Sequence, residues 1–139
     1  MNLLIDKPCL FLIESCILTM DKILLIITDL NLRRLYHELL FDKQCEVCSV
    51  DSIAKAIAFM AIDNFCGVIL FVDQQNEVVS FLELRRKKWR EVKIILLTKD
   101  RDAYSKRLGA KDVILDPTES HEAIISKIKS GIMSGNEAD

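Results

Sequence analysis

Four apolar segments of the sequence end in residues that could help to bind a cation or a phosphate. These ends are Thr28-Asp29, Val72-Asp73, Thr98-Lys99 and Asp116-Pro117. If the fold brings the ends together, the aspartates crowd one another, and crowded carboxylates raise one another's pKa. A divalent cation held by the three carboxylates would relieve that repulsion.

Each of these polar residues also has an ordinary structural role. Carboxylates at strand ends are often solvated or cap a helix. Asp116 opens the sequence DPTE, in which the aspartate can cap a turn. The hydroxyl of Thr98 can satisfy a backbone group at the end of its strand. We therefore predict no resident metal, and if one binds, Asp29 and Asp73 are its expected ligands.

Cys45 and Cys48 form a CxxC motif, the spacing of redox pairs and of half a zinc site. Redox thiols of this kind begin a helix, whose dipole lowers their pKa, whereas this pair falls within a predicted strand. Side chains at i and i+3 of a strand point to opposite faces of the sheet, and no second CxxC completes a zinc site. We predict two structural cysteines.

Residues 85–90, with the sequence RRKKWR, could contact a phosphate backbone because five of the six residues are basic. The run lies at the predicted end of a helix, where cations interact favourably with the helix dipole. The rest of the chain is acidic, with a formal net charge of −2. We therefore predict a solvated helix end and no nucleic-acid partner.

The two histidines, His37 and His121, stand alone on different predicted helices. No serine or cysteine lies at a spacing that indicates a hydrolytic triad. We interpret both as surface or edge histidines and predict that the protein is not an enzyme.

The polar segment ends belong to an alternation of strands and helices. Apolar runs predict five strands, at residues 22–28, 45–50, 67–72, 93–97 and 112–115. Each is followed by a predicted helix, and Asp51 is the expected N-cap of the second. The first helix carries one apolar stripe, formed by Leu32, Leu35, Tyr36, Leu39 and Leu40. Such runs are typical of strands buried on both faces, so the pattern predicts an α/β fold with a parallel sheet between two helical layers.

Length and composition agree with one such domain. The chain has 139 residues, half of them hydrophobic and 6% aromatic, which predicts an aliphatic core. No glycine-rich phosphate loop follows the first strand, so a dinucleotide site is not indicated.

An apolar extension, residues 1–20, precedes the predicted domain at residues 21–133, and a polar tail follows at residues 134–139. Asp6, Pro8 and Glu14 interrupt the extension, so it does not have the pattern of a signal peptide or a membrane span. The chain has five cysteines, an odd number that fits a reducing compartment. We expect a cytoplasmic protein with no membrane partner.

From about residue 22 to residue 132 the sequence resembles a response-regulator receiver domain of the CheY-like type. The resemblance is carried by the Asn-Leu-Arg-Arg opening of the first helix, by Leu-Leu-Thr at the end of the fourth strand, and by Leu-Gly-Ala-Lys-Asp before the fifth. It implies a doubly wound, flavodoxin-like fold with strand order 2-1-3-4-5. It also implies a cis peptide bond between Asp116 and Pro117.

Receiver chemistry requires an acidic pair that holds Mg²⁺, a phosphoacceptor aspartate, a hydroxyl and a lysine, because the metal and the lysine neutralise the phosphoryl charge. By the resemblance, the acidic pair falls on Ile27 and Thr28, with Asp29 just beyond. The phosphoacceptor position falls on Val72 or, after a one-residue slip, on Asp73. The hydroxyl position falls on Thr98, the lysine position on Asp116, and the position of the switch aromatic residue on Val113. Only the hydroxyl is retained.

This pattern predicts a degenerate, stand-alone receiver-like module, or pseudo-receiver. It would act by protein–protein contacts, with a partner or as a homodimer, through the fourth helix, fifth strand and fifth helix. It would do so without phosphorylation and without a cofactor. Two alternatives remain open. One is an atypical phosphoacceptor that uses Asp73 with Asp29 and Mg²⁺, and the other is a small-molecule-binding flavodoxin-like domain.

Overall fold

The computed structural model describes residues 21–41 and 45–133, so the predicted extension at residues 1–20 and the tail at residues 134–139 lie outside the described residues. Strands and helices alternate as predicted. The strands are β1 Asp21–Ile27, β2 Cys45–Val50, β3 Gly67–Phe71, β4 Lys93–Leu97 and β5 Val113–Leu115. The helices are α1 Leu30–Leu40, α2 Ile53–Ile62, α3 Gln75–Lys88, α4 Arg101–Tyr104, which continues into a 3₁₀ turn at Ser105–Arg107, and α5 His121–Met133.

The five strands form one parallel sheet in the order β2-β1-β3-β4-β5. This is the predicted architecture. The parallel arrangement follows from the helix inserted after each strand, which returns the chain to the same edge of the sheet. All strand carboxyl ends therefore lie along one edge, and all strand amino ends along the other.

The sheet separates two hydrophobic cores. Packing of α2, α3 and α4 forms one core, and packing of α1 and α5 forms the other. Alternate side chains of β1 enter opposite cores, so that Leu24 lies in the first and Leu25 in the second. Cys45 and Cys48 also belong to different cores, which confirms that the CxxC side chains point to opposite faces.

Two details of the helices differ from the sequence predictions. Ser52, and not Asp51, is the N-cap of α2 and accepts the backbone N–H of Lys55 at 3.2 Å. Asp51 instead forms an ion pair with the Lys55 side chain at 3.1 Å. The α1 stripe is also narrower than predicted, because Leu35 and Leu39 remain 36% and 37% exposed. A helix on an open sheet buries only the face that meets the strands, here Tyr36 and Leu40.

The basic run at the end of α3 is not solvated throughout, and this corrects the prediction for its first residue. Arg85 is 5% exposed. Its guanidinium pairs with the buried carboxylate of Asp112, and its Nη1 donates to the Val92 carbonyl at 3.4 Å. Asp112 also accepts the backbone N–H groups of Ile94 at 2.9 Å and Gly109 at 2.7 Å. Asp112 was expected within the fifth strand, whereas the strand begins one residue later.

The Arg85–Asp112 pair thus joins α3 to the start of β4 and to the turn that precedes β5. Both charges are removed from water, so the pair is favourable only while each has its partner. The other basic residues of the run follow the prediction: Arg86, Lys87, Lys88 and Arg90 are exposed.

We expect Arg85→Met to lower the free energy of unfolding by about 3–5 kcal/mol, because it leaves the Asp112 carboxylate buried without its cation. Arg86→Met is the matched control, since its side chain is exposed one position away, and its effect should stay within about 0.5 kcal/mol. Urea denaturation of both variants measures the difference. Equal, small losses would show that the buried pair does not support the fold.

Candidate functional site

The carboxyl edge of the sheet brings the predicted site residues into one row. The last β1–β3 pair is Ile27 with Phe71, so the next residues along the two strands, Thr28 and Val72, are neighbours. The β3–β4 register, carried two residues beyond its last pair, places Val72 beside Thr98. The β4–β5 register continues to Thr98 beside Asp116. A hydrogen bond from the Thr98 N–H to the Leu115 carbonyl at 3.0 Å supports this last step.

We call Thr28, Val72, Thr98 and Asp116 the edge row. Its members come from four strands, and it contains one position from each of the four groups that receiver chemistry requires. The row holds two hydroxyls, one valine and one carboxylate. Val72 is half-buried and packs against the hydrophobic core formed by α2, α3 and α4, so an apolar side chain lies in apolar surroundings at this position.

Three other predicted residues of β1 and β3 lie outside the row. Ile27 precedes it and is buried, with 1% of its surface exposed. Asp29 and Asp73 each lie one residue beyond it, and both are exposed. Asp29 is the N-cap of α1, and its Oδ1 accepts the Leu32 N–H at 2.9 Å. The sequence left the acceptor position open between Val72 and Asp73, and the register places Val72, not Asp73, beside Thr98.

The hydroxyl and carboxylate of the row's last two members are engaged locally. Thr98 Oγ1 accepts the backbone N–H of Asp100 at 3.1 Å. Asp116 Oδ1 accepts the backbone N–H of Thr118 at 2.9 Å and its hydroxyl at 2.7 Å. Both side chains therefore stabilise the loop that follows their strand, which is the structural role that the sequence suggested for them.

The hydrogen bonds from Thr118 have an electrostatic consequence for Asp116. The backbone N–H contributes most and the hydroxyl next, and together they lower the pKa of the Asp116 carboxyl below its ordinary value. Lys99 and Lys127 act in the same direction. A negative charge thus occupies the place where a receiver carries a positive one.

The expected cis bond before Pro117 is wrong, because no peptide bond among the described residues is cis. The turn built by Asp116 and Thr118 accommodates the proline in the trans form. The loop after β5 therefore differs in backbone from the loop that the resemblance implied.

Two arginines contribute to this edge and were not identified from the sequence. Arg33 Nη1 donates to the carbonyls of Ile27 at 2.8 Å and Thr28 at 3.2 Å. Arg101 Nη1 donates to the Ile114 carbonyl at 3.3 Å. A cation in the first turn of a helix interacts unfavourably with the helix dipole. An arginine at that position is therefore a sequence signal that its guanidinium binds a nearby acceptor. Both guanidinium groups bind backbone at the ends of β1 and β5.

The residues at the edge do not fit a receiver-type Mg²⁺ site. Mg²⁺ prefers carboxylate oxygens in an octahedral arrangement. Neither Thr28 nor Val72, the row members that follow β1 and β3, has a carboxylate, and the Asp29 carboxylate already accepts an N–H at the start of α1. Over residues 21–41 and 45–133, no three His, Cys, Asp or Glu side chains form a group able to hold a metal ion.

The histidines lie away from the row and contact other side chains. His37 is half-buried, and its Nδ1 lies 2.5 Å from the hydroxyl of Ser49 on β2. His121 packs edge-on against the ring of Tyr36, with the ring centroids 5.6 Å apart. Both contacts join helices to neighbouring elements, in agreement with edge histidines. None of the described helices has the length and apolar character that a membrane crossing requires.

The architecture matches solved structures of response-regulator proteins. HP1043, an orphan response regulator of H. pylori, has a TM-score of 0.68 and 19% identity over 82% of this chain and 98% of that one. TrrA, a response regulator of Thermotoga maritima in complex with Mg²⁺ and BeF, has a TM-score of 0.68 and 23% identity over 81% and 99%. The chemotaxis response regulator CheY4 of Vibrio cholerae has a TM-score of 0.66 and 19% identity over 81% and 99%.

No protein-family model matches the chain, and no curated protein sequence matches it. The structural matches cover nearly all of each receiver and most of this chain. The chain therefore has the receiver fold, as the local sequence phrases and the strand–helix alternation predicted.

We expect Thr118→Val to raise the pKa of the Asp116 carboxyl toward its ordinary value, because the variant loses the hydroxyl donor. A carboxyl whose pKa is lowered in the folded state contributes stability above its unfolded-state pKa, and this contribution is lost as the pH falls through the folded-state value. The stability of the variant should therefore depend less on pH in the acidic range. A ¹³C NMR titration of the Asp116 carboxyl checks this, with Thr28→Val as the control. An unchanged titration in Thr118→Val would refute the conclusion that the Thr118 hydroxyl lowers the pKa of Asp116.

Proposed function

We propose that the protein is a receiver-like signal-transduction module of the cytoplasm that acts by protein–protein contacts without being phosphorylated, and that it is not an enzyme. The observation that carries the proposal is the composition of the edge row. Val72 takes the place of the phosphoacceptor beside Thr98, and Asp116 takes the place of the lysine.

The physical argument concerns charge. A phosphoryl group carries about two negative charges at neutral pH, and a receiver neutralises them with a metal ion and a lysine. In this chain the edge row offers an ionised Asp116 in place of the lysine, and its lowered pKa keeps it ionised. A phosphate at the row would therefore be repelled where it should be bound.

The arrangement also lacks a relay from the row to the surface. In receivers, phosphate draws the hydroxyl and an aromatic side chain inward. Here the Thr98 hydroxyl already accepts the N–H of Asp100, and Val113 replaces the aromatic residue. Arg101 joins α4 to the backbone of β5 through the Ile114 carbonyl. Without such a relay, the α4–β5–α5 face suits a constitutive contact surface better than a switched one.

Protein partners are consistent with this fold. One of the similar structures is of the histidine kinase ThkA in complex with the response regulator TrrA. We propose that this chain uses the α4–β5–α5 face for a protein partner or a second copy, with no nucleic acid involved.

The competing function is an atypical phosphoacceptor that uses Asp73 and Asp29. Its supporting observation is that both carboxylates are exposed one residue beyond the row. An aspartate there would accept phosphate outside the row, away from the Thr98 hydroxyl.

Intact-mass measurement after incubation with acetyl phosphate and Mg²⁺ tests the proposal. We expect no phosphate adduct on the wild type, because the row has no acceptor and no cation. Asp73→Asn is run beside it. An adduct on the wild type that is absent from Asp73→Asn would establish the competing function and refute ours.

A variant that rebuilds the row provides the control for the reagent and for the register. Thr28→Asp, Val72→Asp and Asp116→Lys together restore an acid, an acceptor and a lysine beside Thr98. We expect this triple variant to gain an adduct. If it folds with an unchanged circular dichroism spectrum and gains none, the edge row is not the equivalent of a receiver site.

A further inference from the structure

The carboxyl-terminal end of α2 presents an apolar surface that the described residues leave uncovered. Ile62, the last residue of the helix, is 81% exposed, and Phe59 one turn earlier is 39% exposed. Exposed single apolar residues are common, but adjacent large ones on one helix end indicate a contact surface. The other exposed large hydrophobic residues belong to α1 or follow it.

A cavity adjoins this helix end. Its volume is about 280 Å³, and its lining is mixed, with the apolar Met60, Phe65 and Trp89 beside the charged Asp63, Lys88 and Glu91. Residues i and i+3 of a helix share a face, so Met60 and Asp63 line the cavity while Phe59 and Ile62 lie on the neighbouring strip. We call Phe59, Ile62 and this cavity the α2 end surface.

The described chain begins beside this surface. In a parallel sheet the amino ends of the strands and the carboxyl ends of the preceding helices share one edge, so Asp21 at the start of β1 lies on the same edge as Ile62. Lys22 confirms the proximity, because its ammonium is 2.7 Å from the carboxylate of Asp63, a residue of the cavity lining. Residue 20 is thus two residues from a side chain that contacts the surface.

The chain that precedes Asp21 has the chemistry to cover it. Thirteen of residues 1–20 are hydrophobic, and the side chains of Asp6, Lys7 and Glu14 are the only charged ones. Twenty residues span at most about 70 Å when extended, far more than the adjoining surface requires. Burying apolar residues from both sides stabilises such a contact by about 25 cal/mol per Å² removed from water.

We propose that the apolar chain segment of residues 1–20 is the occupant of the α2 end surface and covers Ile62 and Phe59. A second copy of the chain would offer the same apolar chemistry, and the experiment separates the two.

Thiol labelling of the full chain tests this proposal. Ile62→Cys and Leu30→Cys are compared, with peptide-resolved mass spectrometry reporting each cysteine separately. Leu30 is the matched control because it is 49% exposed at the opposite end of the domain. We expect Cys at position 62 to react with iodoacetamide at least about tenfold more slowly than Cys at position 30, as for a site that reacts only on local opening. On the described surface alone, position 62 would react faster, and that result overturns the proposal.

Two further measurements identify the occupant. Protection of position 62 that is unchanged on dilution supports coverage within one chain, and protection lost on dilution assigns the surface to a second copy and overturns it. Adding Phe11→Asp and Leu12→Asp to the Ile62→Cys chain should restore fast labelling, because burying a charge against an apolar surface is unfavourable. Asn2→Asp is the control with the same charge at a polar position. Unchanged protection in the Phe11→Asp/Leu12→Asp chain would show that residues 1–20 do not cover the surface.

Discussion

Helices cover the parallel sheet on both sides, and this constraint fixes the residue at which every strand reaches the edge. Because both faces of β1, β3 and β4 are buried, a shift of one residue would exchange the side chains of the two cores. The register is therefore strongly determined, and with it the set of residues that meet at the carboxyl edge. Val72 and not Asp73 lies beside Thr98 for this reason.

The same edge shows which structural roles polar groups have at strand ends. Asp29 begins α1, Thr98 holds the loop before α4, and Asp116 builds the turn before α5. Each side chain satisfies backbone N–H groups that would otherwise lack partners at the start of a helix or turn. Carboxylates and hydroxyls are thus retained at the edge for structure, and their presence alone does not indicate a catalytic or metal site.

Away from the carboxyl edge, the last turns of α3 and α2 depart from the usual pattern of buried apolar and exposed charged side chains. The last turn of α3 places Arg85 in the interior, where its Nη groups bind the Asp112 carboxylate and the Val92 carbonyl. The last turn of α2 places Ile62 outside, where no described residue covers it. Both exceptions to simple burial lie on the amino-terminal edge of the sheet or near it. This edge is opposite to the carboxyl edge, which carries the edge row.

The sequence by itself determined the strands, the order of elements, the parallel sheet and the turn cap at Asp116, because these depend on apolar runs and on neighbours a few residues apart. It also identified the four strand ends that meet at one edge. Only the tertiary structure showed that Val72, and not Asp73, lies beside Thr98. It also showed that Arg85 is buried against Asp112 and that Arg33 binds the end of β1. The partial exposure of Leu35 and Leu39 was likewise visible only in the folded chain. Each of these depends on residues that are distant in sequence or on how wide a face the neighbouring element covers. The sequence pattern of a segment shows which of its side chains share a face, but packing across the sheet determines which residues that face contacts.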